Sequence, residues 1–280
     1  MTMHGETTQT EFPGVRHCPP GVALVAIFLA PLIVWLFTHS VAAQRETIAV
    51  ARATGGLVLQ TLQLALAVTA IVVGWLAVFG RMRWRDLGFR YGDIGAALLY
   101  SLVGWAVISG AAAFSGVIAG GGVRIDAAWV EAPRQVVGRL IAQIAGNALC
   151  EELIWRGFLV PQVHFLLARI GSSRSRLFVA AIIAAVLFAL YHIPMDASKG
   201  TTGSAHAVLF AVRFLSGLLL TAVWLLSGNL LIAVACHSLI NEPSPLFAGG
   251  QTDALRAIVA LGTLAWYWGW SYGGRYARNT

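Results

Sequence analysis

Long apolar runs alternate with short polar stretches along the chain, and the runs have the length of membrane spans. They fall at about 21–43, 56–80, 94–119, 136–168, 177–192, 206–226, 229–240 and 254–272. A bilayer crossing takes about 20 apolar residues in a helix, so the pattern predicts an all-α, polytopic membrane protein of about eight transmembrane helices. The cluster Arg81, Arg83 and Arg85 stops the second run, and Gly120, Gly121 and Gly122 make a flexible break after the third. The 229–240 run is short. The 136–168 run is the least uniform, holding Gln143, Asn147, Glu151, Glu152 and Arg156, and an interruption is expected near Gly157 or Pro161. The first run exceeds the apolar core of a cleaved signal peptide, so it is expected to remain as a helix.

Composition fits this picture. Of 280 residues, 58% are hydrophobic and 11% charged, with a mean hydropathy of +0.75, whereas a soluble domain carries roughly 25% charged residues. Everything is expected to belong to one membrane domain: a polar segment over 1–20, N-terminal helices over 21–135, a catalytic membrane region over 136–272 and a tail over 273–280. The net charge of +7 comes from basic residues spread over loops. That spread reads as a topology signal and not as a nucleic-acid patch. With eight helices and a cytoplasmic N-terminus, ten basic loop residues (Arg16, Arg81, Arg83, Arg85, Arg90, Arg169, Arg174, Arg176, Arg275, Arg278) lie inside and five (Arg45, Arg52, Arg124, Arg134, Lys199) outside. Both termini are therefore expected in the cytoplasm. The cysteines, Cys18, Cys150 and Cys236, are odd in number, which argues against a disulfide framework.

Charged groups are costly in the bilayer core, so those found there usually pair, face a cavity and mark function. On a helix Glu152 and Arg156, four apart, share a face and can form an ion pair, while Glu151 points about 100° away and has no partner in sequence. It is thus free to take a proton from water; alternatively both acids sit in a solvated turn at the membrane surface. His192 ends an apolar helix just before Pro194, a place equally suited to an interfacial histidine. His237 and Asn241, four apart, share a face and can serve a reaction or join helices through a hydrogen bond. Arg213 within the sixth run can snorkel, pair with an acid or face a cavity. His4, His17, His39, His164 and His206 lack such company. Jointly, Glu151, His192, His237 and Asn241 supply a base, two imidazoles and an amide donor, from three separate segments.

Glu151-Glu152-x-x-x-Arg156, Phe188-x-x-x-His192 and His237-x-x-x-Asn241, in this order over about 90 residues, resemble the signature of the CPBP intramembrane proteases. That family includes the type II CAAX prenyl endopeptidases and the bacteriocin-processing or self-immunity (Abi) proteins. Gly157 and the stretch Leu87-Gly88-Phe89-Arg90 are similar to it more loosely, and the N-terminal helices carry no signature. The resemblance implies an intramembrane endopeptidase, typically of a prokaryotic plasma membrane, acting on a membrane-associated prenylated or leader peptide. In it Glu151 activates water, His192 helps to hold that water, His237 and Asn241 stabilise the oxyanion, and Glu152 and Arg156 give support. The family is often described as metalloprotease; were zinc bound, Glu151, His192 and His237 would be its ligands, although a glutamate mechanism needing no metal is favoured. Two other classes compete: a noncatalytic immunity or scaffold protein of the same fold, and a proton-coupled transporter. The transporter predicts an inverted repeat, and none is visible in the sequence.

Overall fold

The computed structural model describes residues 12, 14–169, 171–249, 256, 259, 261–264 and 266–267. Helix α1 (Pro20–His39) turns at Ser40, whose hydroxyl accepts from the Ala43 N–H, into α2 (Val41–Ala53). Helices α3 (Gln60–Phe79) and α4 (Ile94–Ile118) follow, joined by two short 3-10 turns at Trp84–Leu87 and Tyr91–Asp93. After α5 (Ala127–Glu131) comes a helical run over 133–166, here α6. Then come α7 (Ser173–Tyr191), α8 (Ile193–Ser198), α9 (Ser204–Ser227) and α10 (Leu230–Asn241). No strand is formed among the described residues, where Ile125 and Phe247 make an isolated bridge.

The segments Pro20–His39, Gln60–Phe79, Tyr91–Ile118, Ser173–Ser198 and Ser204–Ser227 are the five that are long and apolar enough to span, among the described residues. Their outward faces are coated with large apolar side chains such as Phe28, Trp35, Val78, Leu99, Leu102 and Phe178, each more than 45% exposed. Such a coat is at home in lipid and would be an aggregation hazard in water. The protein is therefore an all-α integral membrane protein with several spans. The sequence count of eight departs from this for physical reasons. Helix α6 carries buried charge, and α10 is too short to span by itself. The run at 254–272 lies largely outside the described residues.

Small residues let the helices approach. Ala23, Ala26, Ala30 and Val34 form the buried face of α1, against Ala65, Val68 and Val72 of α3. On α9, a Cβ added at Gly217 would lie 3.0 Å from the Ala185 Cβ of α7, so the two backbones are close at that point. Gly228 adopts a left-handed conformation (φ +65°) and ends α9, and Asn229 caps α10 by accepting from the N–H groups of Leu231 and Ile232. The resulting tight hairpin sends α10 into the middle of the bundle, where every residue from Leu230 to Leu239 is buried. Twelve residues are enough there, because α10 only has to carry His237 about 10 Å inward from its start.

The interruption expected near Gly157 or Pro161 takes a different form. Helix α6 is continuous: α-turns at Pro133–Ile141, Leu149–Glu152 and Val160–Leu166 alternate with wider π-turns at Ala142–Ala148 and Leu153–Leu159. Pro161 lacks an N–H and crowds the carbonyl four residues back in an α-turn; placed just after a π stretch, it is absorbed by the wider winding. Gly157 has a separate cause. A Cβ there would stand 1.9 Å from the Leu87 carbonyl oxygen, so only glycine permits the α3–α4 connection to lie on α6.

Candidate active site

Glu151 and Glu152 occupy the single α-turn between the two π stretches of α6, a local winding that recurs at functional sites. Both acids and Arg156 are at most 4% exposed. Arg156 Nη1 donates to Glu152 Oε1 at 3.0 Å, and its Nη2 donates to the Gly217 carbonyl at 3.3 Å. The guanidinium also lies 4.4 Å from the centre of the Phe188 ring, at cation–π distance. The ion pair expected from spacing is thus present, and it is wholly buried.

Two imidazoles flank Glu151. His192 Nε2 is 3.6 Å from Glu151 Oε1, and His237 Nε2 is 3.7 Å from Glu151 Oε2. The far nitrogen of each ring is held. His192 Nδ1 is 2.8 Å from the Phe188 carbonyl, one turn back on α7, and His237 Nδ1 is 2.8 Å from Glu152 Oε1. A carbonyl and a carboxylate are acceptors, so the hydrogen bonds assign the proton to Nδ1 in both rings and aim both Nε2 atoms at Glu151. This division of an imidazole into an anchored and a working nitrogen is the usual one in hydrolytic sites. The two Nε2–oxygen separations exceed a direct hydrogen bond, and a small-molecule oxygen lying to the side of either pair could hydrogen-bond to both of its atoms.

Glu151 also faces a cavity of about 270 Å³. Val34, Phe37 and Thr38 of α1, Gln44 of α2, and Gln60, Leu64 and Val68 of α3 line one side of it, and Asn147, Cys150, Tyr191 and Met195 line the other. The N-terminal helices, silent in the sequence, wall the approach to the acid.

Asn241 has a partner of its own. Its Nδ2 donates to Gln143 Oε1 at 3.2 Å, and it lines a different cavity with Arg139, Glu242 and Trp129. Arg213 finds an acid: it makes a two-pronged pair with Asp196, its Nη2 lying 2.7 Å from Asp196 Oδ1, which fixes α8 to α9 just after His192. His164 Nε2 lies 3.2 Å from Ser173 Oγ, and His39 Nδ1 lies 2.9 Å from the Trp35 carbonyl. All three cysteines are free and buried. Sequence reasoning gave no role to Gln143, Asn147, Phe188 or Asp196. The spacing 143, 147, 151 was the available signal for the first two, since residues four apart share a face.

Glu151, His192 and His237 are of the donor types that zinc takes. Among the described residues, however, no three His, Cys, Asp or Glu side chains are gathered so as to hold a metal ion.

A buried carboxylate flanked by two anchored imidazoles, inside a bundle of membrane-spanning helices, defines the class as an integral membrane protein with a buried polar centre. Residues 133–242 match the family model described as Type II CAAX prenyl endopeptidase Rce1-like. The matched family is one of proteases, and the three motifs lie inside the matched region. No curated protein and no solved structure matches the chain.

Proposed function

We propose that the protein is an intramembrane endopeptidase in which Glu151 activates water, and that its substrate is the C-terminal peptide of a prenylated protein, as the name of the matching family suggests. The observation that carries this reading is the Glu151 carboxylate set between two Nε2 atoms at 3.6 and 3.7 Å. A water bridging Glu151 Oε1 and His192 Nε2 from the side donates one proton to Glu151 and the other to His192 Nε2. Glu151 accepts the proton as the water oxygen adds to the peptide carbonyl carbon. The carbonyl oxygen becomes an oxyanion, which needs a donor placed in advance.

His237 can be that donor. Its Nδ1 is held on Glu152 Oε1 and its Nε2 faces Glu151; a second proton on the ring, at Nε2, would supply the N–H that the oxyanion needs. Glu151 then gives its proton to the leaving nitrogen, the C–N bond breaks, and an acid and an amine depart. Asn241 would join as a second donor only if its bond to Gln143 opened. The arginine-rich 81–90 connection is assigned to the cytoplasmic side on its basic charge.

The test is cleavage of a farnesylated CAAX peptide, and of an unprenylated leader peptide, by the purified protein with and without chelator. A positioned general base contributes about 10²–10⁴-fold, so Glu151→Ala should lose at least about a hundredfold in kcat. Equal rates for wild type and variant would overturn the assignment. Loss of activity on chelation, regained with zinc, would replace the metal-free mechanism.

A further inference from the structure

The cavity beside Glu151 has mostly apolar walls, and the polar groups on those walls fall into two sets. Thr38 Oγ1 donates to the Trp35 carbonyl, Gln44 Nε2 to the Thr38 carbonyl at 2.6 Å, and Gln60 Nε2 to Thr47 Oγ1 at 3.0 Å and to the Gln44 carbonyl. These tie α1, α2 and α3 together and are committed to the fold. Asn147, Tyr191 and Thr61 line the same cavity, and none of the Asn147 amide, the Tyr191 hydroxyl and the Thr61 hydroxyl has a hydrogen-bond partner among the described residues; of the three, Asn147 and Tyr191 are the ones adjoining the candidate catalytic residues, one turn before Glu151 and next to His192. Tyr191 is held by its ring alone, 5.4 Å from Trp155 and 5.0 Å from His192.

Polar groups left over beside a catalytic base, in a bilayer, need a partner that arrives with the substrate. An extended peptide brings one. Each of its N–H and C=O groups loses water on entering the membrane and must be satisfied inside the protein, and helices that wall a cavity have no backbone groups to lend. Asn147 precedes Glu151 by one turn, so their Cβ atoms are about 5–6 Å apart. A strand advances about 3.3 Å per residue. A peptide whose scissile carbonyl is at Glu151 therefore brings a backbone amide one or two residues away within reach of Asn147, while Tyr191, next to His192, stands beside the reacting group.

We infer that Asn147 and Tyr191 are the substrate-binding residues that hydrogen-bond the extended peptide backbone beside the scissile bond, a role that no motif assigns to them. The inference rests on the endopeptidase reading, and its test is arranged so that the two fail separately.

Binding is measured in a Glu151→Gln background, which does not turn over, with a fluorescent farnesylated CAAX peptide and versions of it carrying one backbone ester each. Asn147→Leu and Tyr191→Phe should each weaken binding of the all-amide peptide about tenfold, as for a buried polar group left without its partner. The ester that weakens binding in the parent should cost little in the variant that has already lost the contact, which a merely structural role would not produce. Tyr191→Phe removes only a hydroxyl and carries the test by itself should Asn147→Leu fail to fold. Unchanged affinity in both variants, or equal ester effects in parent and variants, would overturn the inference while leaving cleavage by the wild type untouched. Absence of any cleavage by the wild type, with ester-sensitive binding intact, would overturn the endopeptidase reading instead.

Discussion

Removing the Arg156 guanidinium while keeping its bulk, as in Arg156→Met, leaves Glu152 a fully buried carboxylate with His237 as its remaining partner. Three contacts vanish together: the 3.0 Å bond to Glu152, the 3.3 Å bond to the Gly217 carbonyl and the ring contact with Phe188. Stripping one partner from a buried ion pair costs about 3–5 kcal/mol. At about 2–4 °C per kcal/mol for a chain of this size, that is a drop of roughly 6–20 °C in Tm. Adding Glu152→Leu removes the stranded charge, and the double variant should regain all but about 1–3 kcal/mol, the cost of leaving His237 Nδ1–H without an acceptor. Activity should not return with stability, since an unanchored imidazole no longer holds its Nε2 toward Glu151. The assay is thermal unfolding in detergent for the wild type, both single variants and the double variant, beside peptide cleavage. A single variant that melts within 2 °C of wild type, by the same scale, would refute the argument. So would a double variant no more stable than Arg156→Met.

Gly157→Ala should lower Tm, because the new methyl group meets the Leu87 carbonyl; overpacking of this kind costs about 1–3 kcal/mol. Gly74→Ala, where nothing lies within 4 Å, is the control and should leave Tm unchanged or raise it. Asp196→Ala should strand the Arg213 cation, loosen the corner that follows His192 and lower kcat, with the Tm loss smaller than for Arg156→Met because Arg213 is partly exposed. Cys18, Cys150 and Cys236 are at most 3% exposed and unbonded. Without reductant, a maleimide should find three thiols after unfolding in SDS and react far more slowly with the folded protein.

The bundle was legible wherever hydropathy speaks for itself: the spans at 60–79, 94–118 and 204–227 fall within a few residues of the apolar runs that announce them. The ion pair of Glu152 and Arg156 was legible too, because spacing on a helix is local information. What sequence could not carry was winding and distance. The π-turns of α6, one of them just before Pro161, make a continuous helix where a break was expected. The imidazole partners of Glu151 come from α7 and α10, so adjacency along the chain left it seemingly alone. Asn241 illustrates the converse: it shares a face with His237, yet Gln143 takes up its amide, and no periodicity predicts which of two neighbouring helices claims a side chain.

The cavity wall has one more consequence. The acid, the imidazoles and their anchors all come from residues 151–237, whereas the opposite side of the opening is built by α1, α2 and α3, which contribute no group to that cluster. Mutational drift in those three helices can reshape the entrance without disturbing the polar centre behind it. Selectivity is thus free to diverge along one half of the chain while the reactive half stays fixed, and a chimera carrying foreign α1–α3 is the natural unit of exchange.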